Sequence, residues 1–326
     1  MVISFLGIVS ILGVSLFALN FGVASIKPKV IFSILSHRLI EDTPYLIIWQ
    51  LRIPRIIMAG LAGIALSTVG AAFQGILRNP LADPYILGVS AGAALGACLG
   101  IALEHLSGYY LTSYLPLFAF LGALFSLFLV YRSSKISLAE GSIGLLLAGV
   151  AITFLFSALI TILLAFSKSE LHSMLFWLMG DLSTASWHKI SIITIPVLLG
   201  CILLFTSSLD LNALALGEEE ALHLGINTGR LRIRIFIIGS LIIASVVSFT
   251  GIIGFVGLII PHITRLLVGP DHRTMLPASA FLGAVFLILC DTLARFILAP
   301  SEIPIGAITA AIGAPLFIYL LKRGYQ

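Results

Sequence analysis

The chain has 326 residues, of which 60% are hydrophobic and only 10% are charged, and its mean hydropathy is +1.16. Soluble globular domains carry about 25% charged residues, so this composition excludes a water-soluble protein and predicts a polytopic membrane protein. The formal net charge of +4 is small for such a length and gives no argument for nucleic-acid binding.

Hydropathy along the chain predicts ten membrane spans, because a span needs about 20 mostly apolar residues. The predicted spans cover residues 3–26, 51–77, 85–104, 114–131, 141–166, 190–206, 232–253, 254–268, 275–298 and 305–321. A short amphipathic helix is predicted after the fifth span, at residues 170–180, and a loop with short helices outside the membrane at 207–231. The predicted fold class is therefore all-α, with a single transmembrane domain over residues 1–326.

An even number of spans places both termini on the same side of the membrane. Ten of the 18 lysine and arginine residues fall on that side and eight on the other, so the positive-inside tendency favours cytoplasmic termini. The group Arg230, Arg232 and Arg234, directly before the seventh predicted span, is the strongest local signal.

Two arginines stand at the start of the second predicted span, in "QLRIPRII". Arg52 and Arg55 precede a long apolar run, and charges so close to hydrocarbon are costly unless partners hold them. Arg295 is predicted at the same non-cytoplasmic surface, four residues after Asp291, so these two side chains can pair on one helix face. We expect the three arginines to point outward as an anion-attracting rim; membrane anchoring and a purely structural ion pair are the alternatives.

The stretch "RNPLADPYILGVSAGAALG", residues 78–96, contains two X-Pro steps that forbid a continuous helix. Asn79 and Asp83 can bond to the backbone groups that such a break frees. The break is either an ordinary interhelical turn or a shaped element at the mouth of a pathway.

The loop at 207–231, "SSLDLNALALGEEEALHLGINTGRL", predicts two short helices separated by glycines. Four leucines are expected to supply apolar contacts beside an acidic face: Leu214, Leu216, Leu222 and Leu224. An acidic face disfavours anionic lipid, so we interpret the loop as a docking element for a partner protein.

Several kinds of site have no pattern in this sequence. The P-loop motif G-x-x-x-x-G-K-[ST] does not occur, which excludes an ATP site of that type. No His, Cys, Asp or Glu group has catalytic or metal-ligand spacing, so neither a catalytic nor a metal site is predicted. A membrane enzyme is disfavoured for this reason. A stand-alone secondary transporter, with "RNPLADP" as a broken-helix site, is disfavoured because Asp291 is the one acid within a predicted span.

Five long blocks carry a family resemblance. "RIPRIIMAGLAGIALSTVGAAFQGILRNPLADPYILGVSAGAALG" resembles the permease subunits of iron-siderophore, haem and cobalamin ABC importers. "LLLAGVAITFLFSALIT", "LALGEEEALHLGI", "GFVGLIIPHITRLLVGPDHRTMLPASAFLGAVFLILCDTLARFI" and "EIPIGAITAAIGAPLFIYLL" resemble further blocks of that family, in the same order. The resemblance covers residues 50–322.

The resemblance implies a homodimer in the inner membrane of a bacterium or archaeon, with one translocation path on its axis. It also implies two ATP-binding cassette ATPase subunits, which bind ATP-Mg, and a periplasmic or lipid-anchored substrate-binding protein. The chain itself would bind no cofactor and would be no enzyme. The expected cargo is an iron-siderophore, with cobalamin and haem as alternatives.

The resemblance also implies roles for individual residues of this chain. Contact with the binding protein is expected of Arg52, Arg55 and Arg295. A cytoplasmic gate is expected of Ser142, Ile143, Asn79 and Leu81, although Ile143 stands where a small hydroxyl residue is typical. The pathway wall is expected to include Thr153, Ser157 and Thr161. Coupling to the ATPase is expected of Leu216, Gly217, Glu218, Glu219, Glu220, Ala221, Leu224 and Gly225.

Overall fold

The computed structural model describes residues 2–22, 24, 26–36, 43–134, 142–167 and 169–324. Within these residues the chain is helical, without a strand. The α-helices are α1 (Val2–Leu19), α2 (Pro28–Leu35), α3 (Thr43–Leu46), α4 (Ile53–Leu77), α5 (Val89–Ser107), α6 (Leu115–Ser134), α7 (Ser142–Phe166), α8 (Leu171–Leu178), α9 (Trp187–Thr206), α10 (Ser208–Leu216), α11 (Glu218–His223), α12 (Thr228–Thr250), α13 (Val256–Val268), α14 (His272–Phe296) and α15 (Ile305–Gly324). A π-helix (Ile47–Arg52) joins α3 to α4, and 3₁₀ turns (Pro84–Leu87, Thr112–Tyr114) precede α5 and α6.

Seven helical segments in the described part of the chain are long and apolar enough to cross a membrane. They are Thr43–Leu77, Val89–Ser107, Thr112–Ser134, Gly144–Phe166, Trp187–Thr206, Thr228–Thr250 and His272–Phe296. Three shorter apolar helices accompany them, Ile3–Leu19, Val256–Val268 and Ile305–Leu320. Together they coincide with the ten predicted segments, but because three are short, the count of ten spans stays a prediction.

Helix α4 is the centre of the bundle and packs against α9, α12, α13 and α14. Its small residues let other backbones come close, as is common where helices meet in lipid. A Cβ added to Gly63 would lie 2.2 Å from the carbonyl oxygen of Gly283 in α14. A Cβ added to Gly70 would lie 2.0 Å from the carbonyl oxygen of Gly257 in α13. The side chain of Ser67 also donates to the carbonyl of Ser279, at 2.8 Å, so α4 and α14 interlock along their length.

The short helices agree with the predicted pattern except near the N-terminus. Helices α10 and α11 lie in the 207–231 loop, on either side of Gly217, and α8 matches the predicted amphipathic piece. The first predicted span was too long, because α1 ends at Leu19. Helix α2 was not predicted; Pro28 suits a first helical turn, and Ile31 and Ile34 are buried beneath it.

Candidate functional site

The three arginines predicted to act together do lie together. Arg52 ends the π-helix, Arg55 follows in the first turn of α4, and Arg295 lies in the last turn of α14. All three line one cavity of about 390 Å³, which Glu302 also lines. Among the described residues, three guanidinium groups and two carboxylates, those of Glu302 and the adjacent Asp291, give this arginine cavity one excess positive charge.

The arginines differ from the expected rim in being almost fully buried and largely paired. They are 5%, 8% and 5% exposed in chain order. Arg55 donates from Nε to Asp291 Oδ1 at 2.8 Å and from Nη1 to Glu302 Oε2 at 2.8 Å. On the other side of Asp291, Oδ2 lies 3.1 Å from Nε of Arg295, which confirms the predicted i, i+4 pair. Buried charges of opposite sign attract strongly, so the side chains turn inward toward carboxylates rather than outward.

Backbone carbonyls hold the remaining arginine. Arg52 donates from Nη1 to the carbonyl oxygen of Leu19 at 2.5 Å and from Nη2 to that of Ala24. By contrast, Nη2 of Arg295 has no hydrogen-bond partner among the described residues. The excess charge of the arginine cavity therefore lies on Arg52, whose partners among the described residues are carbonyls, whereas Arg295 keeps one Nη2 that can donate to a further carboxylate.

A π-helix sets the position of Arg52, and no pattern in the sequence predicts it. Helices of this type are rare and are frequently found at functional sites. Here Nε1 of Trp187, in the first turn of α9, donates to the carbonyl oxygen of Trp49 at 2.9 Å. The two indole rings lie 5.5 Å apart between centroids. Trp187 thus ties α9 to the wide turn that presents the arginines.

The predicted pathway residues lie on one wall of a second cavity. Thr153, Ser157 and Thr161 of α7 line this pathway cavity, whose volume is about 530 Å³. The hydroxyl of Thr153 donates to the carbonyl of Gly149 at 2.8 Å, and that of Thr161 donates to the carbonyl of Ser157 at 2.9 Å. Since these protons are used within the helix, the wall offers little specific binding to a passing molecule.

Two breaks between helices meet at the same cavity. Asp83 and Tyr85, between α4 and α5, line it together with Gly254 and Phe255, between α12 and α13. The hydroxyl of Tyr85 donates to the carbonyl oxygen of Ile253 at 2.6 Å and accepts from the Ile253 amide at 3.0 Å. One phenol therefore links the two breaks.

Asp83 is a functional candidate that the sequence argument missed. It lay outside the predicted spans, and its Oδ1 accepts from the amide of Tyr85 at 2.8 Å, as expected of a residue that caps a break. Its carboxyl nevertheless lines the pathway cavity. The cavity also contains the buried hydroxyl oxygen of Ser90, which has no hydrogen-bond partner among the described residues. A carboxyl group beside the pathway is thus compatible with this fold.

The expected gate has two parts, and the structure describes the side chains of one of them. Asn79 and Leu81 lie in the exposed turn after α4, where Oδ1 of Asn79 accepts from the Leu81 amide at 2.9 Å. The side chain of Leu81 is 42% exposed. The side chains of Ser142 and Ile143 lie outside the described residues.

The predicted coupling element has an exposed surface, and two buried residues hold its helices against the bundle. Leu214 and Ala221 are fully buried, so Leu214 makes its apolar contact within the bundle and not at the surface. Leu216, Leu222 and Leu224 are 70%, 58% and 64% exposed. These leucines lie beside the exposed Glu219, Glu220 and Gly225, whereas Gly217 is buried and Glu218 is half-buried. We call the three exposed leucines with Glu219 and Glu220 the coupling surface.

Hydrogen bonds fix the helices of the coupling surface to the bundle. Arg232 of α12 donates from Nη2 to Glu218 Oε1 at 2.5 Å. Oδ1 of Asn212, in α10, accepts from the amide of His272 at 2.8 Å, and its Nδ2 donates to Asp271 Oδ1 at 2.7 Å. The hydrogen bonds from Arg273 lower the pKa of the Asp271 carboxyl, which keeps that acceptor ionised. The surface is therefore held by α12 and by the start of α14.

Replacing Tyr85 with phenylalanine should lower the free energy of unfolding by about 1–3 kcal/mol. The substitution removes the hydrogen-bond partner of both the amide and the carbonyl of Ile253. Unfolding in mixed detergent micelles, followed by tryptophan fluorescence, measures this change. The control is Tyr110→Phe, since Tyr110 is 92% exposed and should be neutral. Equal stability of the two variants would contradict the proposed link between the breaks.

The sequence matches the FecCD transport family over residues 9–323. The cobalamin import system permease protein BtuC of Halobacterium salinarum is 41% identical over 283 residues, which cover 87% of this chain and 75% of the relative. The hemin transport system permease protein HmuU of Yersinia pestis is 38% identical over 284 residues, 85% of this chain and 83% of the relative.

A solved structure shares the fold. It is an ABC transporter assigned to the metal-chelate type, in an inward-facing conformation, and it superposes with a TM-score of 0.86 at 36% sequence identity. The superposition covers 98% of this chain and 99% of the other.

Proposed function

Since this chain belongs to the FecCD transport family and is a permease subunit of an ABC importer, we propose that it carries a metal chelate into the cytoplasm, with an iron-siderophore as the first candidate. The path would run along the axis of a homodimer, between the pathway cavities of two copies. A large chelate suits the wall of α7, because the hydroxyls of Thr153 and Thr161 are engaged within their own helix.

The observation that carries the proposal is the coupling surface. Three exposed leucines stand beside two exposed glutamates on helices that lie between long apolar segments. Buried anchors and hydrogen bonds to α12 and α14 make this surface rigid enough to transmit force. We propose that it docks onto an ATP-binding cassette ATPase, which binds ATP-Mg, so that this chain needs no cofactor of its own. The ATPase would then lie in the cytoplasm, on the same side as both termini.

The arginine cavity supports a second contact, on the opposite side of the membrane. Its excess positive charge and the unpaired Nη2 of Arg295 suit a carboxylate from a substrate-binding protein. Charge complementarity of this kind fixes orientation and speeds association. We propose that Arg52 contributes mainly by adding charge to the cavity, while Arg295 and Arg55 make the direct contacts.

The choice of cargo belongs to the binding protein in this proposal. The cobalamin and hemin relatives are similarly close to this chain, at 41% and 38% identity, so identity does not separate their cargoes. Cobalamin and haem remain the alternatives to an iron-siderophore. Uptake into proteoliposomes that contain the complete importer, with the three labelled compounds in competition, would decide among them.

Changing Leu224 to glutamate should reduce co-purification of the ATPase at least about tenfold, and transport with it, because a charge would replace an apolar anchor at the interface. Leu222→Glu should act in the same direction. The matched control is Leu106→Glu: Leu106 is 81% exposed at the end of α5, remote from the coupling surface. Retention of the ATPase by both coupling variants would refute the assignment of this surface.

A further inference from the structure

The two carboxylates of the arginine cavity are not equivalent. The Asp291 side chain is 1% exposed and lies between the Nε atoms of Arg55 and Arg295, at 2.8 and 3.1 Å. The Glu302 side chain is 36% exposed, and within the described part of the chain its hydrogen bonds run only to Nη1 of Arg55, at 3.0 and 2.8 Å. Asp291 is thus a permanent part of the cavity, whereas Glu302 reaches it from the open side.

The backbone around Glu302 adds to this difference. Asp291 belongs to the regular helix α14, but Glu302 lies in the connection between α14 and α15. If Glu302 left Arg55, its carboxylate would remain solvated, because the side chain already meets water. Arg55, which is almost buried, would lose a counter-ion unless another carboxylate took the same position. Glu302 can therefore leave at a low cost in free energy if another carboxylate takes its place on Arg55.

The connection that carries Glu302 is hydrogen-bonded to residues next to the lining of the pathway cavity. The amide of Ile303 donates to the carbonyl oxygen of Ala294 at 3.1 Å. The amide of Ile305 donates to the carbonyl of Gly180 at 3.2 Å, and that of Gly306 to the carbonyl of Met179 at 3.0 Å. Met179 directly follows Leu178, which lines the pathway cavity. A shift of Glu302 would be transmitted to the end of α8 through these bonds.

We propose that Glu302 is an internal placeholder: it occupies Arg55 in the free permease and is displaced by a carboxylate of the docked binding protein. This inference rests on the proposed docking role of the arginine cavity. Displacement releases the connection before α15 and loosens its bonds to Met179 and Gly180. Docking thereby alters the hydrogen bonds beside the pathway cavity, while Arg55 keeps a carboxylate partner.

The test uses the purified permease alone in nanodiscs, with hydrogen–deuterium exchange read by mass spectrometry. In the Glu302→Gln variant, the amides of Ile303, Ile305 and Gly306 should exchange about tenfold faster than in the unmodified chain, because local opening becomes easier. The control is Asp210→Asn. Asp210 pairs with Arg234 at 2.6 Å, away from the arginine cavity and from α8, so its loss should leave these amides unchanged.

A second exchange measurement tests whether the Glu302 carboxylate can be displaced from Arg55 or forms a fixed ion pair. Sodium acetate, compared with sodium chloride at equal ionic strength, should speed exchange of the same amides in the unmodified chain. It should have no further effect in Glu302→Gln, where the connection is already released. Unchanged exchange in Glu302→Gln, or no response to acetate in the unmodified chain, would overturn the placeholder. Neither measurement involves the ATPase, so failure of the coupling surface would leave this result untouched.

Discussion

Replacing Asp291 with asparagine is expected to lower the free energy of unfolding by about 3–5 kcal/mol, the usual cost of leaving buried charge without its partner. Asp291 is fully buried and faces two arginines, Arg55 and Arg295. Its neutralisation would leave three guanidinium groups in the cavity with Glu302 as the one remaining carboxylate. Unfolding in mixed micelles with increasing dodecyl sulfate, followed by tryptophan fluorescence, would measure the loss.

Two comparisons make this prediction specific. Asp210→Asn removes a carboxylate from a surface pair with Arg234, whose side chain is 51% exposed, and should cost less than about 1 kcal/mol. Arg55→Ala should cost less than Asp291→Asn, because it leaves two cations facing two carboxylates. A larger loss for Arg55→Ala would show that the hydrogen bonds and packing of Arg55, not charge balance, hold the cavity together.

The same charge balance bears on how docking should be tested. The simplest substitution suggested by the sequence is reversal of Arg52 and Arg55 to glutamate. In the structure a glutamate at position 55 would lie beside Asp291 and Glu302, so the cavity would lose its fold together with its docking function. Arg295→Lys is the better variant, because it keeps the charge and removes the unpaired Nη2. Reduced stimulation by the binding protein, in a variant that still folds and inserts, is the expected result.

Replacing Gly70 with alanine should destabilise the chain by about 3 kcal/mol, at the upper end of the cost of overpacking. The new Cβ would lie 2.0 Å from the carbonyl oxygen of Gly257 and 2.6 Å from its Cα. Both helices meet there through backbone atoms, so no side chain can rotate out of the way. The same unfolding assay measures the effect.

Gly13→Ala is the control for this prediction. Nothing lies within 4 Å of a Cβ built at Gly13, and alanine favours helix over glycine. This variant should be as stable as the original chain or slightly more so. Similar losses for Gly13→Ala and Gly70→Ala would mean that the close approach of α4 and α13 is not what limits substitution.

Much of the fold could be predicted from the sequence, because its signals are local. Apolar runs gave the all-α class, and the motif blocks gave the family. The i, i+4 spacing gave the pair of Asp291 with Arg295, and glycines gave the break between α10 and α11. In each case neighbours along the chain determine the structure.

The sequence could not predict contacts made across the bundle. Glu302 meets Arg55 from 247 residues away, and Tyr85 meets Ile253 from 168 residues away. No local pattern marks either pair. The burial of Leu214 could not be predicted for the same reason, because which leucines of the loop face inward depends on how Asn212 docks on the start of α14. Asp83 was overlooked because a turn residue reaches a cavity only in three dimensions.

The interlocked pair of α4 and α14 has a consequence for building chimaeric importers. Each helix has 25 residues and a length of about 37 Å. Arg55 and Arg295 lie at one end of the pair, and His272, bonded to α10, lies at the other. A graft that exchanges one helix without the other would break the backbone fit of Gly63 with Gly283. Crossover points should therefore fall outside the pair, so that both helices come from one parent.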